Sequence, residues 1–178
     1  MIALNLARVA SRRCNASSVT AKIAARSFGS TTPTSISESE VKGLFSLWND
    51  ALATLDGEKV ADRYASDAVL LPTVSDSVRD DRAGIVDYFA KDFLPKKPQG
   101  TILESWVKVG DCGKWAQDNG VYEFVLGATG DVVKARYTFV YAEEDGEWKI
   151  VHHHSSAMPE GMLAAATKLA DIESVLAK

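Results

Sequence analysis

The three histidines of this 178-residue chain are consecutive, His152-His153-His154, and Ser155 and Ser156 follow them directly. Imidazoles can ligate a metal, exchange a proton near neutrality or donate a hydrogen bond. Hydroxyls can hold a water or a developing oxyanion. The segment from Trp148 onward is apolar and β-branched, and Pro159 cannot donate to a ladder, so it reads as a strand that ends there. Strand side chains alternate, which places His152, His154 and Ser156 on one face and His153 and Ser155 on the other. Three polar groups on one face are costly to bury unless each is satisfied. A hydrogen-bonded core ladder, a metal site and a polar reaction pocket all fit this pattern.

The metal reading is constrained by geometry. Three histidines on zinc must converge at roughly 2.0–2.1 Å, and alternation turns His153 away from its neighbours. His152 and His154 remain as a pair, with no identifiable third ligand. The chain has two cysteines, and Cys14 lies in a segment expected to be removed. Cys112 alone permits no internal disulfide and no multi-thiolate site.

That removable segment is the front of the chain. Residues 1–37 carry Arg8, Arg12, Arg13, Lys22 and Arg26, no acidic residue and many serines and threonines. Ile2, Leu4, Leu6 and Val9 can line one helix face. This is the composition of an organelle transit peptide, most like a mitochondrial one, with cleavage expected near residues 29–35. The plain alternative is a basic arm. No segment approaches the roughly 20 apolar residues a membrane span requires. The full chain has 20 basic and 24 acidic residues; without the five basic ones in front, 15 face 24, a net charge of −9. A domain that acidic suits neither nucleic acid nor an anionic membrane.

The elements that position the histidine stretch are legible in order. Ser37 and Glu40 stand at capping-box spacing, and Val41, Leu44, Phe45, Trp48, Ala51, Leu52 and Leu55 form a helical stripe. Asp56 caps a second helix running through Val60 and Tyr64. Ala68 to Leu71 reads as a short buried strand stopped by Pro72, followed by a polar loop to Asp81. Asp80 or Asp81 caps a third helix carrying Ile85, Tyr88, Phe89 and Phe93. From Thr101 the period becomes two, with strands at about 101–109, 114–126, 132–142 and 147–155 and turns between them. Short connections imply an antiparallel meander. Helices followed by a curled sheet define an α+β class. The expected domains are a transit peptide over 1–34, an α+β barrel over 35–160 and an amphipathic helix over 161–178.

Leu47-Trp48-Asn49-Asp50-Ala51-Leu52, Tyr64 to Thr73, Asp87-Tyr88-Phe89, Ala135 to Tyr141 and the His-His-His-Ser-Ser stretch recur in an order that resembles a known family. It is the association-domain branch, named for calcium/calmodulin-dependent protein kinase II, of the nuclear transport factor 2-like (SnoaL-like) superfamily. Within it, His-His-His-Ser-Ser with Leu-Leu-Pro-Thr is most similar to the iota-class carbonic anhydrases. The resemblance covers residues 38–160. It implies a cone-shaped curved antiparallel sheet with three helices on its concave side, usually in a homodimer. It further implies reversible hydration of carbon dioxide to bicarbonate. Matched positions put Thr73, Tyr88 and Ser156 in the pocket with His154 beside them. Histidine needs the least shift to act near neutrality, so His154 is the candidate base, and His152 and Arg136 are candidate substrate-binding groups, Arg136 holding bicarbonate if it lies on the same face. No essential cofactor is expected, with a divalent ion such as zinc or manganese left open, because the class contains metal-free and metal-dependent members. Leu71, Phe89, Tyr137 and Phe139 are available as apolar lining.

Each of these residues also has a plain structural role. His152 can be a satisfied core histidine, His153 an outward one, Tyr88 a packing residue and Thr73 a turn cap. Arg136 can pair with Glu123, and Trp48, Trp106, Trp115 and Trp148 can serve core or dimer interface. Two other functions compete: a non-catalytic association domain that builds oligomers, and a SnoaL-type isomerase or cyclase using Asp67 or Glu104 as its carboxylate.

Overall fold

The computed structural model describes residues 35–160 apart from Val74. The expected transit peptide and the expected C-terminal helix lie outside the described residues. Helix α1 spans Glu38–Ala53. The Ser37 amide donates to Glu40 Oε2 at 2.8 Å and the Glu40 amide to Ser37 Oγ at 3.3 Å, the expected capping box. Val41, Leu44, Phe45, Trp48, Ala51 and Leu52 form its buried stripe. Helix α2, Gly57–Ala61, is capped by Asp56. Its single turn is shorter than expected, and strand β1 starts early, at Tyr64–Leu71. Tyr64 therefore belongs to the sheet. Asp81 caps α3, Arg82–Tyr88, through the Gly84 amide at 2.7 Å.

Beyond Tyr88 the helix changes pitch. Phe89–Phe93 form a π-helical turn and Leu94–Lys96 a 3₁₀ turn, ending at Lys97 with φ 50°. Wider turns of this kind favour functional sites. Here Tyr88, Phe89 and Phe93 all reach one cavity.

Four strands follow: β2 Pro98–Val109, β3 Trp115–Leu126, β4 Val132–Glu144 and β5 Glu147–Ala157. Asp145 and Gly146, both at positive φ, make the tight β4–β5 turn. The sheet order is β1-β5-β4-β3-β2. The four-strand meander is antiparallel as expected, but β1 pairs with β5 in parallel, Leu70 opposite His153 and Leu71 opposite His154. A purely antiparallel sheet is thus corrected. Parallel pairing needs a long crossover, and the helices and meander between β1 and β5 supply it.

One irregularity decides the site. Along β5, Ile150 pairs with Tyr141 and His152 with Val140 of β4, leaving Val151 as an extra residue. A bulge puts two residues opposite one and reverses the alternation beyond it. Ile150 is buried on the inner face, and beyond the bulge so are His153 and Ser155. Around Trp48 gather Phe45, Phe89, Phe124, Phe139 and His153 in the core. Cys112, expected as a lone thiol, is not free; Cys14 lies outside the described residues. No helix among the described residues is long and apolar enough to cross a membrane.

Candidate active site

The inner sheet face, α1 and the α3–π turn enclose a cavity of about 100 Å³. Its walls are apolar, with Trp48, Leu70, Phe89, Phe93 and Phe124 among them. Polar groups enter at few points. Ser155 is the centre of them: Tyr122 Oη donates to Ser155 Oγ at 2.5 Å, and Thr73 Oγ1 shares a short hydrogen bond with the same oxygen. Tyr88 and His153 complete the inner polar set, and Lys96 lies at the rim, half-buried.

Electrostatics follow from burial. Burial pushes the Tyr88 phenol up to about 12, with Asp92 adding to it and Arg79, 5.8 Å over the ring, opposing it. Tyr122 is raised by burial as well. His153 is lowered to about 3, first by burial and then by His152 and His154. It is a neutral imidazole at physiological pH and carries no proton away from water.

Of the expected site residues, Thr73 and Tyr88 line the chamber. Ser156, His154 and His152 are on the opposite face, because the Val151 bulge turns them outward, and Arg136 is outside with them because alternation along β4 buries its neighbours Ala135 and Tyr137. His154 and Arg136 are exposed, and Arg136 stands in register with Ser156. His154 and Ser156 line a shallower polar cleft outside, and Thr73 and Ser155 border both spaces. The expectation that His153 faces outward is overturned: it is 3% exposed. Glu123 is paired by Lys134 at 3.6 Å, so the expected Arg136 bridge is not formed. Of the suggested apolar lining, Phe89 reaches the chamber, whereas Leu71 faces the outer cleft.

Sequence reasoning missed Tyr122, His153, Ser155 and Lys96. Alternation joined Ser155 to His153, but nothing in residue types signals a bulge at Val151. It also missed Asp118, a fully buried carboxylate that accepts from Ser105 at 2.7 Å and Tyr137 at 3.1 Å. Burial raises its pKa. Asp67 and Glu104, the carboxylates weighed from sequence, are exposed. Among the described residues no three histidine, cysteine, aspartate or glutamate side chains gather as a metal site. His152 and His154 share a face, but the β1 and β4 residues in register with them are Val69, Val140, Leu71 and Thr138, which include no strong third ligand.

A five-stranded curled sheet packed with helices is the nuclear transport factor 2-like, cystatin-like arrangement. It is shared with a nuclear transport factor 2-like protein of unknown function from Pseudomonas putida KT2440, at 19% identity over 68% of this chain and 86% of that one, TM-score 0.58. A domain of unknown function from Nostoc punctiforme PCC 73102 shares it too, at 16% identity over 78% and 95%, TM-score 0.58. At higher identity, 53%, stands a structure from Xanthomonas campestris ascribed to the calcium/calmodulin-dependent protein kinase II association domain. The match covers 68% of this chain and 87% of that one, TM-score 0.65. The family model of the calcium/calmodulin-dependent protein kinase II association domain matches residues 37–159, and the chain belongs to that family. No curated protein matches the chain.

Proposed function

We propose that this protein hydrates carbon dioxide reversibly to bicarbonate in the inner chamber, without an essential metal. The observation that carries the reading is the Tyr122–Ser155–Thr73 hydroxyl cluster set into an otherwise apolar cavity. An apolar wall suits carbon dioxide. About 100 Å³ holds only a few water-sized molecules and is smaller than the roughly 150 Å³ cavity that admits benzene, which argues against a polycyclic substrate.

Water held by Ser155 and Thr73 attacks the carbon. The new C–O bond forms as one C=O electron pair moves onto oxygen, and one water proton leaves. Tyr122 donates to Ser155, so the Ser155 proton is free to be passed on as the water proton arrives. Because Thr73 and Ser155 border both spaces, the proton leaves toward the outer cleft, where His154 accepts it. Tyr88, held un-ionised, offers a donor to the charged product oxygen. One aimed donor contributes roughly 10²–10³-fold and a base roughly 10²–10⁴-fold. A homodimer and a mitochondrial location belong to the same proposal. The first is supported by the association-domain family, the second by residues 1–34.

Stopped-flow hydration of carbon dioxide by the full-length protein, chelator-treated and with metal content determined, tests the reading. Treated protein should stay active, and Ser155→Ala should lose about 10²–10³-fold. Activity restored only by zinc or manganese would make His152 and His154 the residues of interest. No hydration in either state would sink the reading.

A second reading is favoured by one observation. Trp106, Trp115, Val125 and Val132 are exposed on the outer sheet face, with Trp106 at 60%. Such a surface, in this family, supports an oligomerisation domain whose chamber is inert.

A further inference from the structure

Trp48 of α1, Tyr64 of β1 and His153 of β5 meet beside the chamber. Trp48 Nε1–H donates to Tyr64 Oη at 3.1 Å, and Tyr64 Oη is 2.9 Å from His153 Nδ1. The imidazole is stacked on Phe139 at 4.1 Å between ring centroids and meets Trp48 edge-on. His153 Nε2 is buried and has no hydrogen-bond partner. His153 also lines the chamber, next to Ser155.

The proton positions follow by elimination. An indole nitrogen only donates, so Tyr64 Oη accepts from Trp48. If His153 carried its proton on Nδ1, Tyr64 would accept twice. Its own hydroxyl proton and the Nε2 lone pair would then both lack a partner. If Tyr64 donates to Nδ1, one group alone stays unmet, the Nε2–H. Each unmet buried group is costly, so the second arrangement holds. It leaves a neutral N–H donor at the wall of a small, otherwise apolar cavity.

We infer that Trp48 and Tyr64 are positioning residues that lock His153 as its Nε2–H tautomer, and that this N–H binds an oxygen of the small oxo ligand the chamber takes. The ligand is carbon dioxide or bicarbonate, a choice that rests on the hydration reading above. A neutral donor binds the oxygen of substrate and product alike, whereas an imidazolium would hold the anionic product and slow its release. Tyr64 never touches the ligand; it sets which ring nitrogen faces it.

The test is nitrogen NMR of the full-length protein labelled at histidine, with bicarbonate as the probe. At pH 7 the His153 signals should report one neutral tautomer protonated at Nε2, and bicarbonate should move the Nε2 resonance saturably. In Tyr64→Phe the tautomers should mix and bicarbonate affinity should fall about tenfold. A proton on Nδ1, an imidazolium at pH 7, or signals that bicarbonate leaves unmoved would overturn the inference. The wild-type spectrum alone decides this if Tyr64→Phe fails to fold. Hydration with unmoved His153 signals would overturn the donor and spare the reaction. Moved signals without hydration would do the reverse.

Discussion

At the residue scale, His153 couples the site to acid. Burial first, then His152 and His154, hold it at about 3, against about 6.5 for an unfolded histidine. Its folded pKa is depressed, so its neutral state costs nothing above pH 6.5. Stability is lost as pH falls from there toward 3, by up to about 1.4 kcal/mol per unit. Asp118, raised by burial, works in the opposite sense and gains stability on acidification from its own raised value downward. The difference between wild type and His153→Gln isolates the histidine. Urea midpoints at pH 7 and pH 5 should converge in the variant; parallel losses in both proteins would contradict the assignment. A second residue contrast separates neighbours. Ser155→Ala should abolish most hydration while Ser156→Ala, on the outer face, stays within about threefold by stopped-flow. Equal losses would contradict the inner placement of the reaction.

At the element scale, bulges determine what the periodicity alone could not. The stripe of α1 was readable from Val41 to Leu52, because a helix face is fixed by spacing and Ser37 and Glu40 mark its start; Leu55, expected on the same stripe, lies past the helix end at φ 57° and is exposed. The β4–β5 turn was readable from Asp145-Gly146. The pocket face of β5 was not, because alternation names two faces without saying which is inside, and the extra Val151 reverses the phase between Ile150 and His153. Thr73 and Tyr88 were found through motif order, which survives such slips. Tyr122 offered only an aromatic in a strand. A second bulge, between Ile102 and Glu104, brings the Glu104 carbonyl so close to Gly120 that a Cβ there would lie 1.8 Å from its oxygen. Gly120→Ala should cost about 1–3 kcal/mol or more in urea unfolding. An unchanged midpoint would show that the bulge can relax.

At the scale of the whole molecule, the outer sheet face links the two functional readings. Trp106 stands on the edge strand β2, opposite Asn119, with Trp115 on the same outer side. Trp106→Glu places a charge within that exposed apolar face and should shift the protein toward monomer in sedimentation velocity, with its far-ultraviolet dichroism unchanged. If the mass stays that of the wild type, the face is not the contact. Hydration measured on the same variant tells whether the chamber works without assembly.

The parallel pairing of β1 with β5 also bears on the order in which the molecule comes into being. Thr73 and Ser155, which share a hydrogen bond at the chamber wall, are 82 residues apart in sequence. Until the ribosome has released β5, β1 has only the short Leu70–Arg79 bridge, its sheet partner is missing, and no reaction site exists. Such long-range closure is slow, and the exposed β1 edge invites wrong pairing while it waits. A nascent chain halted before Glu147 should therefore carry α1 and the β2–β3 hairpin, yet remain protease-sensitive from Tyr64 to Leu71. Chaperone protection during synthesis matters most for that one strand.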